Sequence, residues 1–143
     1  MISRPRISAL LRQQVSLEFG NRCAYCQSPQ EVGIPMVLDH CLPISLGGAT
    51  ERQNLCLCCY RCNEFKGAKT QVLFPETHET ITLFNPRIQN WNDHFSWSND
   101  GLRILGLTPC GQATIETLHL NEERWLRARK IWILAGLHPP LAR

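Results

Sequence analysis

The residues with the most chemistry in them lie between positions 39 and 63, DHCLPISLGGATERQNLCLCCYRCN, with a Cys23-Ala24-Tyr25-Cys26 unit upstream. Asp39-His40 sets a carboxylate beside an imidazole, a pair able to hold a cation and to move a proton at neutral pH. Asn54 stands in the middle of the stretch, and Asn63 closes it directly after Cys62. The units Cys23/Cys26 and Cys59/Cys62 each bring two thiolates to one side of a tight turn. Two such pairs suit a tetrahedral zinc site whose coordination is closed, so its role is structural. Cys56 and Cys59 share the same spacing, which leaves 56/59 and 59/62 both open as the second pair. Each polar residue alone reads as an ordinary turn or helix-surface residue. Their joint spacing inside paired cysteine units is what points to a site.

The segments VLDHCLPISLGG, Asn54-Leu55 and CYRCNEFKG resemble the HNH endonucleases of the ββα-metal superfamily, in their zinc-bound form with two Cys-x-x-Cys pairs, over residues 22–67. The resemblance implies catalytic roles for His40, Asp39, Asn54 and Asn63. His40 is expected to be the general base that takes a proton from the attacking water, and Asp39 to coordinate one catalytic divalent ion. Asn54 is expected to fix the loop between two strands and help orient the base. Asn63 takes the second metal-ligand position, where asparagine replaces the histidine of the family's name, as it does in many members. The oxygen donors of Asp39 and Asn63 suit Mg²⁺ or Mn²⁺. In the family pattern the last cysteine directly precedes the third motif residue. That favours Cys23, Cys26, Cys59 and Cys62 as zinc ligands and leaves Cys41, Cys56 and Cys58 as small buried hydrophobes. The implied reaction is hydrolysis of DNA phosphodiester bonds, leaving 5′-phosphate and 3′-hydroxyl ends. The implied partner is DNA, double-stranded in the leading reading. One site cuts one strand, so a double-strand break requires a homodimer or two encounters. The alternative is a catalytically inactive, zinc-stabilised nucleic-acid-binding module.

Composition limits the rest. A chain of 143 residues with 43% hydrophobic content can bury one core, as a single domain or a motif domain with an extension. A net charge of +3 permits a nucleic-acid partner without demanding one. Arg22, Arg52, Arg61, Lys66 and Lys69 flank the motif and are expected to contact phosphates, positioning DNA without reading its sequence; a solvated surface is the competing explanation for each. The N-terminal residues carry Arg4, Arg6 and Arg12 and lack the apolar run of a signal peptide. No stretch approaches the roughly 20 apolar residues of a membrane span. A soluble cytoplasmic protein is expected, in a compartment where thiols favour metal over disulfides.

The elements that must position these residues give an α+β expectation: a ββα-metal core clamped by a four-cysteine zinc site, preceded by an N-terminal helix and followed by a β-hairpin plus two-helix C-terminal extension. The expected division is 1–68 for the helix and nuclease core and 69–143 for the extension. A basic lead at 2–7 precedes a helix over 8–19, with Ser8 as N-cap and Leu10, Leu11, Val15 and Leu17 as its apolar face. Strands are expected over 31–38 and 54–58, then a helix from about Tyr60. Beyond these, the pattern predicts a strand over 80–84 and a hairpin of 94–98 with 102–107 around Asn99-Asp100-Gly101. Thr108-Pro109 should open one helix and Asn121 cap another. The extension is also similar to one carried by a subset of bacterial HNH proteins, on the residues FNPR, GLTPCGQAT and GLHPP. No catalytic role follows from that. Trp125, Ile131, Trp132 and Leu134 read as core or interface. Arg124, Arg127, Arg129 and Lys130 read as a solvated helix face, with duplex binding as the sharper alternative, and Arg87 is placed near phosphate.

Overall fold

The computed structural model describes residues 6–141, so the part of the basic lead at 2–5 lies outside the described residues. Helix α1 (Ala9–Glu18) begins where the Ser8 hydroxyl accepts the Leu11 N–H at 3.1 Å. It stops where Gly20 and Asn21 turn left-handed, at φ 63° and 56°. Its buried face is narrower than the sequence predicts. Leu11 and Val15, one turn apart, face the core, whereas Leu10 and Leu17 lie on the neighbouring stripe and are 65% and 62% exposed.

Strands β1 (Met36–His40) and β2 (Leu55–Cys59) pair antiparallel, with Asp39 opposite Cys56 and His40 opposite Leu55. Helix α2 (Tyr60–Lys66) follows β2 directly. Its cap is Cys59, whose sulfur accepts the Cys62 N–H. Strand β1 starts later than the expected 31–38, because Gln30–Val32 form a 3₁₀ turn closed by Gly33 at φ 84°. Pro35 then has no N–H to give a ladder, and pairing begins at Met36. Asn54 ends another 3₁₀ turn, so β2 begins one residue after the expected start.

The remaining elements are β3 (Gln71–Phe74), β4 (Glu79–Thr82), α3 (Trp91–His94), β5 (Phe95–Trp97), β6 (Ile104–Gly106), α4 (Pro109–Leu118) and α5 (Glu123–Leu134). Among the described residues the strands form three two-stranded antiparallel sheets, giving a mixed α+β fold. Strand β3 and helix α3 are additions to the sequence expectation. The β5–β6 hairpin is shorter than expected because Asp100 draws its ends into the turn, accepting from the Ser98 hydroxyl and the Leu102 N–H. The Thr108 hydroxyl caps α4 through the Gly111 N–H, with Pro109 in the first turn. Asn121 does not cap α5; its amide grips both the N–H and the carbonyl of Ile104 at 2.8 Å, and Glu122 takes the cap position.

One buried cluster joins Cys23, Tyr25, Cys26, Cys59 and Cys62 to Phe84, Phe95, Ile104, Leu118 and Leu120. The C-terminal half is thereby packed on the strands and knuckle that carry the motif. Among the described residues no helix is long and apolar enough to cross a membrane.

Candidate functional site

The sulfurs of Cys23, Cys26, Cys59 and Cys62 lie within 4.8 Å of one another, and all four residues are buried. That closes the choice left by spacing. Cys56 lies outside the group, its sulfur 3.9 Å from the Tyr25 hydroxyl and 4.0 Å from Asp39 Oδ2; Cys41 and Cys58 are buried outside it too. Burial pushes the Cys23 thiol up, yet hydrogen bonds with Cys26, Cys58, Cys59 and Cys62 pull it well below the usual thiol range. Cys59 and Cys62 are pushed up, chiefly by their bonds to Cys23. Four buried sulfurs competing for protons at this separation are a donor set that fits structural zinc.

Arg129 is packed near this cluster rather than on a solvated helix face. Its guanidinium is fully buried, donates to the carbonyls of Leu102 at 2.8 Å and Leu120 at 2.6 Å, and lies 5.4 Å from the Trp97 ring centroid. Burial lowers its pKa, and the charges of Cys26, Cys62 and Cys59 oppose that shift.

Asp39, His40 and Asn63 line one cavity of about 330 Å³, together with Pro43, Ile44 and Gly67. Strand β1 delivers Asp39 and His40, and the first turns of α2 deliver Asn63. Asp39 is 6% exposed, and one oxygen, Oδ2, takes three contacts: the Tyr25 hydroxyl donates to it at 2.9 Å, Lys66 Nζ sits 3.0 Å away, and the Cys56 thiol donates at 4.0 Å. The lysine contact is an ion pair without hydrogen-bond alignment. His40 is half-buried, with Nε2 2.9 Å from the Thr50 hydroxyl.

Asn54 ties the loop that follows β1. Its Oδ1 accepts the Leu42 N–H at 2.8 Å, and its Nδ2 donates to the carbonyls of Leu42 and Ala49, both at 2.9 Å. Its own carbonyl accepts the Cys41 N–H at 2.8 Å. Gly48 lets the loop close this tightly, since a Cβ there would lie 1.7 Å from the Leu42 carbonyl oxygen.

The five cations expected at phosphates divide. Lys66 is 2% exposed and paired with Asp39, so it is corrected to an interior charge. Arg22 is half-buried and held within the protein: it donates to the Gln27 carbonyl at 2.9 Å and the Leu137 carbonyl at 2.5 Å, tying the knuckle to the C-terminal segment. Arg61 pairs with Glu122 and lies over the rings of Phe65 and Trp125, joining α2 to α5. Arg52 and Lys69 are exposed, with Arg52 paired to Glu18 and Lys69 donating to the Phe65 carbonyl. Arg87 is held by Glu18 and the Leu55 carbonyl, in place of the phosphate expected for it.

Sequence reasoning missed two polar partners of the site, Tyr25 and Thr50. Tyr25 carried a signal, as a phenol set between two zinc-spaced cysteines; Thr50, in an ordinary turn, carried none.

Residues 23–75 match the model of a family described as HNH endonuclease. That segment contains the four clustered cysteines and Asp39, His40, Asn54 and Asn63. No curated protein and no solved structure matches the chain.

Proposed function

We propose that the protein is a divalent-metal-dependent endonuclease that hydrolyses DNA phosphodiester bonds, with β1, β2 and α2 forming a ββα-metal core. The observation that carries this reading is the convergence of Asp39, His40 and Asn63 on one cavity inside the segment that matches the HNH endonuclease model. The Asp39 carboxylate and the Asn63 amide oxygen are hard donors, so the pair fits Mg²⁺ or Mn²⁺ better than a soft ion. When bound, the ion supplies positive charge against the scissile phosphate and the leaving 3′ oxygen.

His40, as neutral imidazole, takes the proton of the attacking water, and Thr50 holds its ring in orientation. Asn54 keeps the loop closed behind His40, so the base meets the phosphate without first having to order the chain. Arg52 and Lys69 are the members of the expected basic set that remain exposed to meet a duplex backbone. The reaction leaves 5′-phosphate and 3′-hydroxyl ends, and a double-strand break requires two sites, on a homodimer or in two encounters. A reducing cytoplasm suits a protein with buried free thiols beside a four-sulfur site. The end chemistry is tested by sealing. Nicks made in a plasmid should be closed by DNA ligase without prior kinase or phosphatase treatment, and nicks that ligase leaves open contradict the assigned polarity.

A further inference from the structure

We propose that Tyr25 is a positioning residue for the catalytic cation: it holds Oδ2 of Asp39 and turns the other carboxylate oxygen toward the cavity, carrying the rigidity of the zinc knuckle into the second metal site. This rests on the reading of Asp39 as a metal ligand.

Tyr25 sits between two members of the four-sulfur cluster, so its backbone is fixed on both sides. The Ala24 N–H donates to the Leu57 carbonyl at 2.8 Å, fastening the knuckle to β2, and Trp91 Nε1 donates to the Tyr25 carbonyl at 2.8 Å. The ring is buried and meets Phe84 edge-on, with centroids 6.4 Å apart. A phenol held this firmly has little freedom left, and its hydroxyl ends 2.9 Å from Asp39 Oδ2. A phenol is protonated at neutral pH, so its hydroxyl is the donor of this bond and the carboxylate the acceptor.

Lys66 approaches the same oxygen at 3.0 Å. Among the described residues Oδ1 of Asp39 accepts no hydrogen bond, while the residue lines the cavity shared with His40 and Asn63. One oxygen is thus engaged from the protein side and the other is left for a cation. Lys66 supplies charge from a flexible stem, whereas Tyr25 supplies direction from a rigid one. Hydrogen-bond partners that orient a metal ligand typically contribute a factor of about 10–100 to metal affinity.

The test is Mn²⁺ binding to the zinc-loaded protein, read by electron paramagnetic resonance for wild type, Tyr25→Phe and Asp39→Asn. The expected result is one Mn²⁺ site in wild type, its loss in Asp39→Asn, and affinity weakened about 10-fold or more in Tyr25→Phe with its zinc content unchanged. Wild-type affinity in Tyr25→Phe, alongside lost binding in Asp39→Asn, overturns the role of Tyr25 and leaves the nuclease reading standing. Binding that survives Asp39→Asn overturns both. A second measurement avoids dependence on the folding of the variant. In wild-type protein labelled with 3-fluorotyrosine, Tyr25 and Tyr60 are the two tyrosines, and the Tyr60 signal is assigned by Tyr60→Phe. The Tyr25 fluorine resonance should shift as Mg²⁺ is added, and a resonance that stays fixed through saturation overturns the proposal.

Discussion

Asn54 and Leu42 are joined by two hydrogen bonds, one in each direction between the asparagine side chain and the leucine backbone, at 2.8 and 2.9 Å. They close the loop that begins where His40 leaves its strand, which makes Asn54 a determinant of where His40 stands. Asn54→Ala should keep its zinc and lose about 1 kcal/mol of stability for the severed bonds. Its cleavage rate should fall about 100-fold, the effect of letting a reacting group drift by an ångström. Steady-state cleavage of a labelled duplex, with zinc measured on the same sample, checks this. An unchanged rate would show that the loop does not position the base.

Zinc content separates cysteines that spacing leaves ambiguous. Cys62→Ser should lose the bound zinc and the cooperative unfolding transition with it, because a structural zinc site contributes folding free energy directly. Cys56→Ala removes a buried sulfur that faces Tyr25 and Asp39, and should retain a full equivalent of zinc. Elemental analysis of the two purified variants reads the difference, and zinc loss from Cys56→Ala would reassign the site.

Stability should decline on mild acidification through His138. This residue is buried, Nε2 donates to the Gly101 carbonyl at 2.8 Å, and Nδ1 has no partner among the described residues. Burial first, and then the charges of Arg129 and Arg22, lower its pKa below the usual 6.5, against the opposing effect of the Gly101 bond. The unfolded chain therefore binds the proton more readily than the native one. The contribution is complete above about pH 6.5 and is lost as pH falls through the depressed native value. Urea melts at successive pH values should show this decline in wild type and a flatter profile in His138→Gln; equal slopes would remove His138 as its source.

What the sequence made legible was local capping chemistry and the groups that motif spacing marks. Ser8 and Thr108 cap helices as their side-chain chemistry requires, the Cys-x-x-Cys units converge, and Asp39, His40 and Asn63 meet on one cavity. Cations were the main failure, because their partners are distant in sequence. Arg61 finds Glu122, Arg22 finds the Leu137 carbonyl and Arg87 finds Glu18, while Lys66 at the end of α2 turns inward to Asp39 on β1. Nothing local marks a lysine or arginine as already partnered, so much of a basic cluster in sequence became a set of intramolecular ties in space, with Lys66 alone fully buried among them. Strand β1 starts at Met36 for a local reason: Gly33 and Pro35 interrupt an otherwise apolar run, and these breakers outweigh β-propensity.

Plasmid cleavage tests whether His40 is the base of a hydrolytic site. Wild type and His40→Ala, each carrying its full zinc, are incubated with supercoiled plasmid and either Mg²⁺ or Mn²⁺. Wild type should nick the plasmid, and His40→Ala should do so about 100-fold or more slowly, the usual size of a general-base contribution. Supercoiled DNA left intact by the wild type with both metals, or equal rates in the two proteins, would contradict that role; intact DNA would leave a zinc-stabilised module that binds nucleic acid without cutting it.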